Sequence, residues 1–174
     1  MRADPDATLA TARLRLLPAS RAVIEAELDG PARLGRALAA AIPADWPPEH
    51  HDRETLEFWR ARLAEPSAAG WWLYYAVQIE PAPPTLVGSV GYKGPPKHGV
   101  VEIGYSVVAS RQRRGLATEA CRALVAEAWA RGAERVVAHT LEHLTPSIGV
   151  LRKLGFERTT SSEPDELEFT LRRD

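Results

Sequence analysis

Val101-Glu102-Ile103-Gly104-Tyr105-Ser106-Val107-Val108-Ala109-Ser110-Arg111-Gln112-Arg113-Arg114-Gly115-Leu116-Ala117-Thr118-Glu119-Ala120 is the most informative stretch of the chain. Its β-branched and aromatic start reads as a strand from Val100 to Val108. A basic turn containing glycine follows, and then the period changes. From Leu116 the apolar residues fall at Ala117, Ala120, Cys121, Leu124, Val125 and Ala128, one face of a helix that Gly132 ends. A helix start presents unpaired backbone N–H groups and a partial positive charge. Three arginines and Gln112 surround that start, while Gly115 and Ala117 let the backbone approach a ligand closely. The combination suits phosphate or pyrophosphate. A solvated basic turn, with small residues kept for packing, is the plainer account of the same pattern. Neither GxxxxGK[ST] nor GxGxxG occurs, so a Walker-type nucleotide site and a dinucleotide fold have no support.

Downstream, Arg135 to Leu141 reads as a strand, and strand–helix–strand at this spacing implies a right-handed crossover between near neighbours. Thr145-Pro146 predicts a short helix capped by the threonine, which Leu154-Gly155-Phe156 closes through a left-handed glycine. Short strands near Phe156 to Thr160 and Glu166 to Leu171 finish the chain. Upstream, the alternating Arg13-Leu14-Arg15-Leu16-Leu17 predicts a first strand ended by Pro18. Helices are expected over Arg21 to Asp29 with Ser20 as N-cap, Ala32 to Ala41, and Asp52 to Leu63. The last would bury Leu56, Phe58, Trp59 and Leu63. Strands Trp71 to Glu80 and Thr85 to Lys93 follow, so the middle of the chain is an antiparallel meander. The fold class is α+β: a meander joined to one βαβ unit, with residues 1–174 as a single domain.

Composition narrows the function. With 174 residues and 45% hydrophobic content the chain can bury a core unaided. A net charge of -1 offers no general attraction to nucleic acid or an anionic membrane, so any anion site is local. The lone Cys121 excludes an internal disulfide and a cysteine zinc cluster, and suits a reducing cytoplasm. MRADPDATLA lacks the order of a signal peptide, and no apolar run approaches a membrane span. These features together predict a cytoplasmic protein. His50, His51, His98, His139 and His143 form no HExxH pattern and read as exposed or hydrogen-bonded, so no metal is expected.

The residues also carry a resemblance. Gln112-x-x-Gly115-x-Ala117 matches the (Q/R)xxGx(G/A) signature of the GNAT acetyltransferases. Ser147-x-x-Val150-Leu151-x-Lys153-Leu154-Gly155-Phe156 is similar to their second signature, SxxVLEKLGF. Leu14 within TARLRLL resembles the opening strand of the RimJ/RimL-like branch, the ribosomal-protein N-acetyltransferases and their relatives. The order of elements matches over nearly the whole chain. The resemblance implies a mixed, mostly antiparallel central sheet flanked by helices and splayed between its fourth and fifth strands, Val100 to Val108 and Arg135 to Leu141. The pantetheine arm of acetyl-CoA would pair with backbone near Val107 and Val108. Its pyrophosphate would rest on the turn of Gln112, Arg113, Arg114, Gly115, Leu116, Ala117 and Thr118. One departure stands out: the asparagine usual shortly before the serine is replaced by Leu144 and Thr145.

Transfer to an amine needs a neutral amine, a donor for the developing oxyanion, and a proton for the leaving thiolate. By resemblance Glu102 in VEIGY is the general base, acting directly or through a water. A strand-face ion pair or an orienting role stands as the other account. The oxyanion donor would be a backbone N–H near Val107. Ser147 occupies the serine position, either as acid or as a residue that caps its helix and touches the pantetheine. Cys121, on the inward helix face, reads as a buried structural thiol. Trp46, Tyr92 and Tyr105 are the aromatic candidates for the acceptor pocket. Trp71 and Trp72 fall on opposite faces of their strand. The expected activity is acetyl-CoA-dependent N-acetylation of a primary amine, in a small molecule or at a peptide or protein N-terminus, by direct attack in a ternary complex. A catalytically silent acyl-CoA-binding module and a nucleotide or phosphoprotein binder are the other readings. Relatives include monomers and homodimers, which leaves the oligomeric state open.

Overall fold

The computed structural model describes residues 8–49, 51–65, 70–160 and 165–173. An eight-stranded sheet runs in the order β1-β2-β3-β4-β5-β6-β8-β7. Its strands are β1 (Leu9–Ala10), β2 (Leu14–Pro18), β3 (Leu73–Gln78), β4 (Thr85–Tyr92), β5 (Val100–Val107), β6 (Arg135–Thr140), β7 (Glu157–Thr159) and β8 (Leu167–Arg172). Every neighbouring pair is antiparallel except β5–β6, the parallel pair that the crossover helix requires. The helices are α1 (Arg21–Leu28), α2 (Pro31–Leu38), α3 (Arg53–Arg62), α4 (Leu116–Ala130) and α5 (Thr145–Lys153).

Each face of the sheet has its own core. Alternate residues Val87, Val90, Tyr92, Val101, Ile103, Val136 and Ala138 meet Leu116, Ala120, Cys121, Leu124 and Ala128 of α4. Leu73, Tyr75, Val77 and Leu86 meet Ile24, Leu34, Leu38 and Leu56 from α1 to α3. The second group of helices covers the β3–β4 side. Trp71 and Trp72 precede β3 rather than lying in it, yet they divide between the faces as expected. Trp71 packs edge-on to Tyr92 at 4.9 Å with Arg131 over its ring at 3.8 Å, while Trp72 meets Phe58 of α3 at 5.7 Å. Burial pushes the Cys121 thiol up, so it stays protonated and inert as expected.

Several expectations shift for local reasons. The second helix begins at Pro31, one residue before the expected Ala32, because proline at the first-turn position has no N–H to leave unsatisfied. That helix ends early because Ala39 turns left-handed at φ 48°, freeing Ala41 to bridge to Thr85. Phe58, expected in the core, is 47% exposed, and the guanidinium of Arg62 lies over its ring at 5.2 Å. Thr145 does not cap α5: Leu144 is the N-cap without a side-chain bond, and Thr145 and Pro146 both lie inside the first turn. Ser20 and Asp52 do cap α1 and α3, accepting from Val23 N–H and Thr55 N–H. β1 pairs with β2 as a short edge strand that no sequence pattern announced. Leu124 is completely buried at the centre of α4. Leu124→Ala is expected to lower unfolding free energy by about 2–5 kcal/mol, and Phe58→Ser by less than about 1 kcal/mol, both read from urea denaturation.

Candidate functional site

The site begins where β5 and β6 part. They pair only at Val100↔Arg135, Val101↔Val136 and Glu102↔Val137. Beyond Glu102, β5 stays with β4 as far as Gly88↔Val107, while β6 stays with β8 as far as Thr140↔Leu167. The gap between residues 103–107 and 138–140 is a cleft open along its strand edges. In an antiparallel ladder successive residues point their N–H and C=O to alternate sides. Lys93 N–H donates to Glu102 C=O and Val108 N–H to Val87 C=O, which directs even-numbered β5 residues toward β4. The N–H of Val107 and the main chain of Tyr105 therefore face the cleft. Val108, expected to pair with a ligand, offers neither group, because its carbonyl accepts from Arg111 N–H at 2.9 Å.

At the cleft mouth stands the basic turn. A 3-10 turn at Ala109–Arg111 leads to Gln112, whose Nε2 donates to Val107 C=O at 2.9 Å and folds the turn back on the strand. Arg113 at φ 59° and Gly115 at φ 78° turn the chain sharply into α4. The first intrahelical donor is Glu119 N–H to Gly115 C=O, which leaves the amides of Leu116, Ala117 and Thr118 as the open donors of the helix start. Two acidic residues secure this turn. Glu119 accepts from Thr11 Oγ1 at 2.6 Å, Arg13 N–H at 2.8 Å and Arg13 Nε at 2.8 Å, and the same guanidinium donates to Arg114 C=O at 3.0 Å. Asp45, in the loop after α2, accepts from Ser110 N–H at 2.8 Å and Ser110 Oγ at 3.1 Å. The Ser110 N–H holds its carboxyl below the usual carboxylate range.

On the face shared with α1 to α3, Glu102 makes an ion pair with Lys93 and a 3.0 Å hydrogen bond with Nδ1 of His139. Nε2 of His139 lies 3.4 Å from Glu168. The strand-face ion pair foreseen for Glu102 is thus present, but Lys93 is largely exposed, so the pair adds little stability. On the α4 face, the Tyr105 hydroxyl lies 2.9 Å from Ser147 Oγ and donates to Ser147 C=O at 3.2 Å, tying one wall of the cleft to the other. Burial pushes the Tyr105 phenol up, which keeps it protonated. Tyr105 and Tyr92, expected beside the acceptor, both point to this α4 face because their parity on the strands is that of the α4 core. Tyr92 is buried and donates to Leu124 C=O at 2.6 Å. Trp46 lies on the opposite face with α1 to α3, half-buried, with Nε1 donating to Glu27 at 2.7 Å.

A splayed sheet with open helix amides at the cleft mouth has a counterpart in known proteins: a profile described as an acetyltransferase (GNAT) domain matches residues 14–157. The chain belongs to the GNAT acetyltransferase family. The ribosomal-protein-S5-alanine acetyltransferase from Vibrio fischeri superimposes with a TM-score of 0.64 at 19% identity, covering 97% of this chain and 98% of that one. RimL, a ribosomal L7/L12 alpha-N-protein acetyltransferase solved with coenzyme A, gives 0.66 at 17% identity, covering 95% and 98%. An acetyltransferase from Agrobacterium tumefaciens gives 0.65 at 19% identity, covering 96% and 95%. No curated protein matches the sequence. A GNAT enzyme transfers acetyl from acetyl-CoA, and the residues here fit that cosubstrate. Three open amides suit a pyrophosphate, and an extended arm suits the free strand edge at Tyr105 and Val107. Among the described residues no cluster of His, Cys, Asp or Glu could hold a metal, and no helix is long and apolar enough to cross a membrane. His50 lies outside the described residues, as does the start of the N-terminal segment, residues 1–7.

Arg13, Asp45 and Glu119 escaped the sequence reading because their partners lie 65 to 108 positions away. The T-x-R between β1 and β2 and the glutamate of ATEA were the available signals. Burial works against ionisation of Glu119, but the bonds from Thr11 and Arg13 and the Arg13 charge outweigh it and lower its pKa from 4.5. A lowered carboxylate stabilises the fold fully above its unfolded pKa and loses that contribution as pH falls through the folded one. Glu119→Gln is therefore expected to be less stable than the parent at pH 7, with the difference closing below about pH 4, as read from paired thermal melts across pH.

Proposed function

We propose that this enzyme acetylates a primary amine, of a small molecule or of a peptide N-terminus, by direct attack within a ternary complex. The observation that carries the reading is the early end of β5–β6 pairing with open α4 amides at its mouth. Acetyl-CoA supplies an activated acetyl thioester; the chain's own groups do the rest. Leu116, Ala117 and Thr118 amides hold the pyrophosphate, with Arg113 and Arg114 adding positive charge. Tyr105 and Val107 backbone groups hold the arm, and Ser147 lends its hydroxyl to it, backed by Tyr105. The Val107 N–H is the donor for negative charge developing on the carbonyl oxygen. Glu102, on the face toward α1 to α3, takes the proton from the amine directly or through a water as the N–C bond forms. The C–S bond breaks to release coenzyme A as a thiolate that is protonated by water. The acceptor enters over that face, where Gly104 leaves room: a Cβ there would meet nothing within 4 Å.

Calorimetry is expected to show saturable acetyl-CoA binding, and the same preparation to release thiol only when a primary amine is added. Absence of binding would sink the reading. Glu102→Gln should keep coenzyme affinity while turnover falls on the order of a hundredfold; unchanged turnover across pH would remove Glu102 from the chemistry. Ser147→Ala is expected to weaken acetyl-CoA binding on the order of fivefold with little loss of turnover at saturation.

A further inference from the structure

Glu102 is the last residue of β5 to pair with β6, opposite Val137. His139 is the next position of β6 on the same face, just past the point where the strands part. Its ring stands between two carboxylates: Nδ1 lies 3.0 Å from Glu102 Oε1, and Nε2 lies 3.4 Å from Glu168 Oε2. Glu168 is directly opposite His139 on β8. Thr159, opposite Glu168 on β7, donates its hydroxyl hydrogen to Glu168 Oε1 at 2.7 Å. One polar row thus crosses four strands, from Thr159 through Glu168 and His139 to Glu102.

The ionic members of this row are partly exposed, so it contributes little to stability. What it restricts is direction. A glutamate side chain is flexible, and a general base must bring one oxygen within hydrogen-bond reach of the proton it takes. Lys93 and His139 both meet the same oxygen of Glu102, Oε1. Among the described residues no hydrogen bond reaches Oε2. The Lys93 side chain is 61% exposed and that of His139 is 20% exposed, so the ring, backed by Glu168, is the better fixed of the two partners.

We propose that His139 is a positioning residue for Glu102: its ring holds Oε1, which leaves Oε2 to take the proton of the incoming amine. The inference rests on the amine-acetylating reading above, with Glu102 as the base. The proton passes from the amine nitrogen to Oε2 as the N–C bond forms, and the ring neither gives nor takes one. An ionised carboxylate only accepts, so the hold requires a hydrogen on Nδ1. Asparagine carries an amide nitrogen where histidine carries Nδ1, and glutamine carries one where histidine carries Nε2. Asparagine at position 139 therefore keeps the hold on Glu102, and glutamine does not.

The test measures thiol release with phenethylamine, cadaverine and trialanine, beside acetyl-CoA affinity by calorimetry. It compares the parent with His139→Ala, His139→Asn, His139→Gln, Glu102→Gln and the double variant Glu102→Gln/His139→Ala. The expected result is a kcat about tenfold lower in His139→Ala and His139→Gln at unchanged acetyl-CoA affinity, restored to within about twofold of the parent in His139→Asn. Removing the ring in the Glu102→Gln background is expected to cost nothing further, because residues that act through one another are not additive. A merely structural role would lower turnover alike in both backgrounds. Histidine 15N NMR of the parent is expected to show a hydrogen on Nδ1 of His139; a bare Nδ1 overturns the assignment without any turnover measurement. Parental kcat in His139→Ala, or equal losses in the two backgrounds, overturns His139's role and leaves amine acetylation standing. Parental turnover in Glu102→Gln removes the base itself, and coenzyme binding without turnover of any of the three amines removes the amine reading; either takes His139's role with it.

Discussion

Three residues of parallel pairing decide how this molecule works. Val100, Val101 and Glu102 join β6, and then each strand continues with its outer neighbour only. A strand edge inside a sheet is costly to leave unpaired unless something else meets its N–H and C=O groups. At Val107 the Gln112 side chain meets the carbonyl, and in the proposed function the arm of acetyl-CoA would meet the remaining groups. The cleft is thus held apart by the pairings outside it, β4–β5 and β6–β8, not by bulky residues within it. Tyr105 and Ser147 join its walls on the α4 side.

The turn at the cleft mouth depends on the same architecture. Its open amides need a helix start that does not fray, and a 15-residue α4 packed through Leu116, Ala120, Leu124 and Ala128 provides one. Glu119 and Arg13 tie the first turn of that helix to the segment before β2, and Asp45 ties Ser110 to the loop after α2. The basic turn before α4 and the loop after α2 are therefore fastened to one another through a carboxylate.

The sheet keeps its two faces chemically distinct. Strand parity puts Tyr92 and Tyr105 with the α4 core and Glu102, Gly104 and Ser89 on the opposite face. Helices α1 to α3 cover the β3–β4 side of that second face, so Glu102, Lys93 and His139 remain half-buried or exposed beside it. Their partial exposure leaves the Glu102 carboxylate in reach of solvent while Lys93 and His139 lie beside it.

The family was readable from local patterns: period two before Val108, period 3.6 after Leu116, glycine and arginine between them, and the serine-to-LGF run that opens and closes α5. Such signals depend on backbone geometry within a few residues, which is why the elements, the crossover and the anion turn followed from them. Strand parity was readable too, and applying it to Tyr92 and Tyr105 against their buried neighbours would have moved both tyrosines off the acceptor list. The clamps made by Arg13, Asp45 and Glu119, the convergence of Glu27, His51 and Ser89, and the point where β5 leaves β6 were not readable. Each is a contact between residues far apart in the chain, set by packing and by which strand holds which partner. The sequence by itself determined the family, the cosubstrate turn and the presence of a carboxylate on the β5 strand. Only the tertiary structure decided which side chains meet on each face of the sheet, because facing is a property of assembled sheets and helices and not of any one segment.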